Sequence, residues 1–406
     1  MREVEILIIG GGAAGTTAAE TYRVGGGQGD VVIVSDEAHQ LYSRVLLPHA
    51  AKGKISPEKA FLKNEAWYAE KRIELMRGRS VLRVDYKRSI ATLDGDEEIS
   101  YKKLLIAVGG KPRAWQMSGA DHADVLQLQT YEDAIKLRER LVPDMRMAIV
   151  GSGFIAIEFA AACVEKGVKA TLINRGPHFW TSALGEKIGH AVQAALEAKG
   201  VEVRNGAKVA AVEVEGGISG VTLSTGETVP CNLVGVGIGI ETPMEPFGDL
   251  RGTQGLLADA YLKASHENVW VAGDCAEYDD EVVGFRRVVG NWANAIAQGR
   301  HVGQALLGRH EKFVLLTGYS TAVFPGASLL FLGESRMLPE AQRYERVLED
   351  GKKIVEFRTL GGRVIGATLL NAVDQRAAAA ALITSGVSVA GRESDLADPH
   401  VPLDGF

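Results

Sequence analysis

The residues of this chain best placed to do chemistry are glycines. Gly10-x-Gly12-x-x-Gly15 follows the apolar run at residues 4–9, and Gly151-x-Gly153-x-x-Ala156 follows the apolar run at 147–150. Each pattern opens a helical stretch directly after a strand. In such a loop the first glycine makes the tight turn and the second lets the backbone approach a pyrophosphate. The third brings helix and strand together, and the helix N-terminus offers unpaired N–H groups to the phosphate oxygens. One such loop is a weak signal. Two in matching strand–helix–strand surroundings imply two dinucleotides in one protein, and the simplest chemistry that needs both is hydride transfer from a nicotinamide to a flavin.

The surrounding residues sharpen each site. A carboxylate is expected about 20 residues beyond the first loop, at the end of the second strand, to bind a ribose hydroxyl. Asp36 and Glu37 stand there. Further on, Ala272-Gly273-Asp274 ends another short apolar run, where Asp274 can accept from a ribityl hydroxyl of FAD. A long helix opening at Gly290-Asn291-Trp292 can stabilise negative charge on a reduced isoalloxazine through its N-terminus. In the second site, the position that carries Asp or Glu for NAD selectivity holds Asn174-Arg175. An arginine attracts a 2′-phosphate, so the pair points to NADPH or dual use, with His178 able to assist.

The elements that position these residues are those of an α/β chain. The first strand–loop–helix–strand unit runs over residues 4–37 and the second over 147–175, with 25–29 a plain loop. Residues 72–100 and 207–230 read as antiparallel meanders. YKKLLIAVGG at 101–110 and NLVGVGIGIETP at 232–243 close the two regions alike, which suggests two copies of one nucleotide-binding plan. Helices are expected at 131–142, 186–199 and 290–307. The last part holds strands near 327–333, 353–359 and 363–370 and an Ala-rich helix at 373–385. The expected organisation is a first FAD segment at 1–113, an NAD(P) domain at 114–242, a second FAD segment at 243–312 and a C-terminal α+β interface domain at 313–406.

Taken in order, GGGAAG, LLIAVGG, GSGFIAIE and VWVAGDCAE resemble the FAD-dependent pyridine nucleotide–disulfide oxidoreductase superfamily over about residues 4–310. DEAHQLYSRVLLPHAAKGK resembles its branch of rubredoxin and ferredoxin reductases and the FAD domain of nitrite reductase large subunits. The resemblance implies that Tyr42 and Arg44 fold over the flavin. It also implies that Glu158 reaches toward the flavin–nicotinamide junction, where a lysine often pairs with it. In this branch that lysine ends an RPPLSK-like run. Here the aligned run is Arg44-Val-Leu-Leu-Pro48-His49, the lysine is absent, and His49 or Lys52 can substitute. Catalytic roles are thus expected for Glu158 and His49. The expected cofactor contacts are Gly10, Gly12, Ala14, Gly15, Asp36, Glu37, Tyr42, Arg44, Ala107, Gly109, Gly273, Asp274, Asn291 and Trp292 for FAD. For NAD(P)H they are Gly151, Gly153, Phe154, Ile155, Asn174 and Arg175.

Other features set bounds. Cys163, Cys231 and Cys275 form no CxxC pair, and residues 38–52 hold no cysteine, so redox thiols, a zinc site and an iron–sulfur cluster are disfavoured. No HxxxH spacing suggests a metal. A net charge of −6 with 24% charged residues gives no basic face for nucleic acid. No apolar run reaches the roughly 18 residues of a membrane span, and a cytoplasmic location is expected. The function expected is a flavoprotein oxidoreductase passing electrons from NAD(P)H through FAD to a small electron-carrier protein, as a homodimer or a subunit of a redox complex. Two alternatives are an NAD(P)H oxidase making hydrogen peroxide and a low-turnover FAD-binding scaffold, to which the missing lysine lends support.

Overall fold

The computed structural model describes residues 2–324 and 326–406. The chain divides into two compact units. The first comprises residues 1–45, 58–111 and 240–315; the second comprises 46–57, 112–239 and 316–406.

The first unit is built on a sheet whose centre is the strand Arg2–Ile9. Strand Val31–Ser35 lies parallel on one side, followed by Ile73–Arg77, and Glu98–Ile106 lies parallel on the other. The central strands are apolar on both faces, as a sheet covered by helices requires: Ile6, Leu7, Ile8, Val32 and Ile33 are fully buried. The long strand Glu98–Ile106 is shared. Its first half pairs with the antiparallel hairpin Val81–Asp85/Ile90–Leu93, and its second half pairs in parallel with Val269–Val271. The segment at 72–100 is therefore only partly the meander its sequence suggests. Ile73–Arg77 joins the parallel sheet, because the helical excursion before it returns the chain in the same direction as its neighbour.

Two helices cover this sheet. Ala13–Val24 packs against Trp292–Leu306 through small residues. A Cβ added at Gly299 would sit 2.4 Å from the carbonyl oxygen of Ala14, and one at Gly303 would sit 2.7 Å from that of Ala18. This close approach fixes the first half of the first helix against the second half of the second.

The second unit repeats the plan on a smaller scale. A five-stranded parallel sheet runs in the order Glu202–Arg204, Lys169–Ile173, Arg146–Val150, Leu233–Val236, Val125–Leu126. A three-stranded antiparallel sheet follows residue 208. The chain then ends in a five-stranded antiparallel sheet ordered Gly318–Phe324, Ala327–Gly333, Arg363–Leu370, Lys353–Leu360, Gln342–Leu348, backed by the helix Arg376–Ser385. The strands Gly318–Phe324 and Gln342–Leu348 are not among those read from the sequence. The antiparallel sheet is bound to the nucleotide-fold part of the unit by buried charge. Arg358 and Glu356, both at 0% exposure, pair with each other. Arg358 also donates to the carbonyl of Ala183, and Glu356 accepts from the N–H of Gly185 at 2.5 Å.

Candidate functional site

The same backbone device opens both fingerprint loops. Gly10 has φ +113°, and a Cβ there would lie 2.2 Å from the carbonyl oxygen of Ala107. Gly151 has φ +123°, and its Cβ would lie 2.2 Å from that of Gly237. Only glycine fits either place. Gly15, the third glycine, lies so close to Gly10 that a Cβ would meet its oxygen at 2.0 Å. In the second loop Ala156 takes that place and Gly237 yields instead, with its Cβ position 3.1 Å from the nitrogen of Ala156. The middle glycines differ from the others in facing outward. Gly12 has nothing within 4 Å of its Cβ position, and Gly153 has only the indole of Trp180, at 3.9 Å. Gly12 and Gly153 cap the helices Ala13–Val24 and Phe154–Lys166, and neither helix has a side-chain cap. Each loop thus presents free helix N–H groups at a spot where a Cβ would fill the space, which suits a pyrophosphate.

The other expected residues of the first unit have defined partners. Glu37 accepts from the Tyr42 hydroxyl and from Arg44, and the Arg44 guanidinium lies 5.4 Å from the centre of the Tyr42 ring. Asp36 is drawn elsewhere, into an ion pair with Lys111 at 2.9 Å. Ala107 donates its N–H to Ile9 at 2.7 Å, and Gly109 borders open space. The N–H of Gly273 is held by Gln298 at 2.7 Å. Asp274 keeps little solvent contact. Burial pushes its carboxyl up to about 6, while the positive charge of Arg44 pulls it back down. Asn291 caps the helix Trp292–Leu306 by accepting from the N–H of Asn294 at 2.8 Å, and Trp292 is half-buried against the core.

In the second unit, Glu158 lies one turn into the helix that the second loop opens. Its partner is Lys52, which donates from Nζ to the Glu158 carboxylate. The lysine side chain is only 9% exposed and the glutamate 26%. His49 is exposed on the short helix Leu47–Ala51 and is not in this pair. Of the two residues that the sequence offers as partner of Glu158, His49 and Lys52, it is Lys52 that makes the pair. The helix ends before Lys52, and its turn carries that residue onto Glu158 while His49 faces out.

Asn174 and Arg175 separate in the same way. Asn174 is buried, and its side chain donates to the carbonyl of His178 at 2.7 Å and to Asn205 at 2.9 Å, so it shapes the loop after the strand. His178 is itself buried, its ring against the carbonyl of Phe179 at 3.2 Å. Arg175 is exposed at the strand end. Phe154 and Ile155 start the helix. Phe154 meets Trp180 edge-on at 4.6 Å and Tyr319 at 5.1 Å, and Ile155 lies beside Gly237. Trp180 was missed by sequence reasoning. A lone Trp in a loop carries no motif, and its nearness to Gly153 is a product of the fold.

The three cysteines are buried and free. Burial pushes the thiols of Cys163 and Cys275 up to about 12 and that of Cys231 up to about 11, opposite to what a reactive thiolate requires. Among the described residues no group of His, Cys, Asp or Glu could hold a metal, and no helix is long and apolar enough to cross a membrane.

Comparison with known proteins agrees with this geometry. The chain is 31% identical over 407 residues to the ferredoxin–NAD(+) reductase component of the p-cumate 2,3-dioxygenase system of Pseudomonas putida, covering 98% of this chain and 97% of that protein. It is 29% identical over 391 residues to the corresponding component of the biphenyl dioxygenase system of Paraburkholderia xenovorans strain LB400, covering 96% and 95%. The reductase in the covalent putidaredoxin reductase–putidaredoxin complex superposes with a TM-score of 0.89 at 22% identity, over 100% of this chain and 98% of that one. Residues 4–299 match the pyridine nucleotide-disulphide oxidoreductase family. With two dinucleotide loops of one design and no exchangeable thiol, the chain belongs to that family, in the branch of ferredoxin and rubredoxin reductases.

Proposed function

We propose that this protein is an FAD-dependent reductase that takes electrons from NAD(P)H and delivers them to a small redox protein of the ferredoxin or rubredoxin kind. The observation that carries the reading is the pair of outward-facing middle glycines, Gly12 and Gly153, each at an uncapped helix start. FAD is held at the first loop, with Glu37, Tyr42, Arg44 and Asp274 around it, and the nicotinamide dinucleotide at the second. When bound, the flavin accepts a hydride and gives up electrons one at a time; the chain's residues bind, orient and set charge. Glu158 with Lys52 forms a fixed charged pair on the second-site helix and serves to place the nicotinamide end and manage its proton. Lys52 beside Glu158 supplies the lysine whose absence would favour a low-turnover scaffold. The buried, high-pKa cysteines turn the reading away from disulfide substrates. The chain acts as a homodimer or within a redox complex, in the cytoplasm, with the antiparallel C-terminal sheet as its interface.

The test is anaerobic rapid mixing of the FAD-loaded protein with NADH and NADPH in parallel, followed at the flavin absorbance. Arg175 at the strand end leads to reduction at lower concentrations of NADPH than of NADH. Arg175→Glu removes a charge-assisted contact to the 2′-phosphate and should weaken NADPH about tenfold or more while sparing NADH. Absence of bleaching by either nucleotide would refute the reductase reading, and equal NADPH affinity in the variant would refute the role of Arg175.

A further inference from the structure

Trp180 has a backbone conformation that bulky residues seldom adopt, with φ +52°. Such strain persists only where surrounding contacts over-determine it, and here they do. The Trp180 carbonyl accepts from the N–H groups of Ala183 and Leu184, both at 2.9 Å. The loop beyond it is held by the antiparallel sheet. Arg343 donates to the carbonyls of Leu184 at 3.0 Å and Thr181 at 3.3 Å, Arg358 donates to Ala183, and Glu356 accepts from Gly185. The indole is only 9% exposed and is wedged between Phe154 at 4.6 Å and Phe331 at 5.6 Å. Its Cε2, Cζ2 and Nε1 atoms all lie 3.9–4.0 Å from the Cβ position of Gly153. The indole N–H makes no hydrogen bond among the described residues and keeps access to solvent, and it sits beside the loop whose free N–H groups suit a phosphate.

We infer that Trp180 is a ligand-binding residue of the second site, its indole N–H donating to the pyrophosphate of the nicotinamide dinucleotide, with Arg343, Glu356 and Arg358 holding it in place. The inference rests on the reading that the dinucleotide binds at Gly151–Gly153. It gives the C-terminal sheet a part in nucleotide binding through the loop it clamps. A contact to the pyrophosphate is made equally before and during hydride transfer, so it sets affinity and leaves the limiting rate alone.

The experiment is calorimetric titration of the FAD-loaded protein with NAD+ and NADP+, giving a dissociation constant for each variant, beside rapid-mixing reduction by NADH and NADPH, giving the limiting rate. Trp180→Phe keeps a ring against Phe154 and Phe331 and removes the donor. Replacement of Trp180 by benzothienylalanine keeps the ring's shape and removes only the N–H. Both should weaken the two nucleotides about tenfold, the loss of one charge-assisted hydrogen bond, with the limiting rate and the FAD content unchanged. Wild-type affinity in the benzothienyl protein, or a fall in limiting rate without a change in affinity, overturns the inference. Gly153→Ala separates this outcome from failure of the parent reading. Its φ of −83° and its nearest neighbour at 3.9 Å let the chain fold, while the added Cβ fills the space for the pyrophosphate. Weakened binding in Gly153→Ala with wild-type binding in the Trp180 proteins sinks only the role of Trp180. Unchanged binding in Gly153→Ala sinks the site itself.

Discussion

Asp274→Asn should make the protein without its flavin more stable at neutral pH while weakening its hold on FAD. Burial raises the Asp274 carboxyl from 3.8 to about 6 against the opposing pull of Arg44. A gap of about two pH units corresponds to about 3 kcal/mol at 1.36 kcal/mol per unit. The group keeps some contact with solvent, so about 1–3 kcal/mol is expected. The sign follows from proton binding. The folded chain holds this proton more tightly than the unfolded chain. Protonation therefore favours the fold fully below about pH 4, and that contribution is lost as the pH rises to about 6 and stays lost above it. At pH 7 the ionised Asp274 weighs against the flavin-free fold, and asparagine removes the charge. Urea unfolding of the two flavin-free proteins across pH 4–7 isolates the effect, because every other carboxylate is common to both. The variant's advantage should be about 1–3 kcal/mol at pH 7 and should shrink toward zero near pH 4. FAD affinity should move the other way, falling about tenfold with loss of the charged acceptor. A variant less stable than wild type at pH 7, or a difference that does not change with pH, would refute the reasoning.

Three further predictions concern the first loop and the buried pair. Gly12→Ala has an ordinary φ of −75° and nothing within 4 Å, so urea stability of the flavin-free protein should hold while the flavin bound per chain drops; Gly15→Ala drives a Cβ to within 2.0 Å of the Gly10 oxygen and should cost about 2 kcal/mol or more of stability even without flavin. Lys52→Met leaves the largely buried Glu158 unpaired and should cost about 1–3 kcal/mol. It should also slow the limiting rate of flavin reduction at least about tenfold with FAD content unchanged, and Lys52→Arg should recover much of that rate; an unchanged rate in Lys52→Met removes the pair from the reaction.

The sequence by itself determined what depends on neighbours along the chain. Gly10, Gly12 and Gly15 follow a strand and open a helix within six residues, so their backbone geometry and their phosphate-binding design are local properties, legible as a spacing. The repetition at Gly151 and Gly153, and the matching closures at 101–110 and 232–243, were legible for the same reason. The absence of a cysteine pair could be read directly. What lay beyond the sequence was whatever depends on contacts between distant segments. Lys52 and Glu158 are joined because a short helix folds onto another that follows it by about a hundred residues. The aligned run left both His49 and Lys52 open for that place, and only the turn of the short helix, which faces His49 outward, separates them. Asn174 and Arg175 are neighbours in sequence, yet one is locked into a buried loop and the other left exposed. The parallel placement of Ile73–Arg77 and the clamp of Arg343, Glu356 and Arg358 on the Trp180 loop have the same origin. Spacing along a chain fixes backbone geometry over a few residues, whereas the pairing of buried charges and the direction a side chain faces are set by which surfaces the whole fold removes from water.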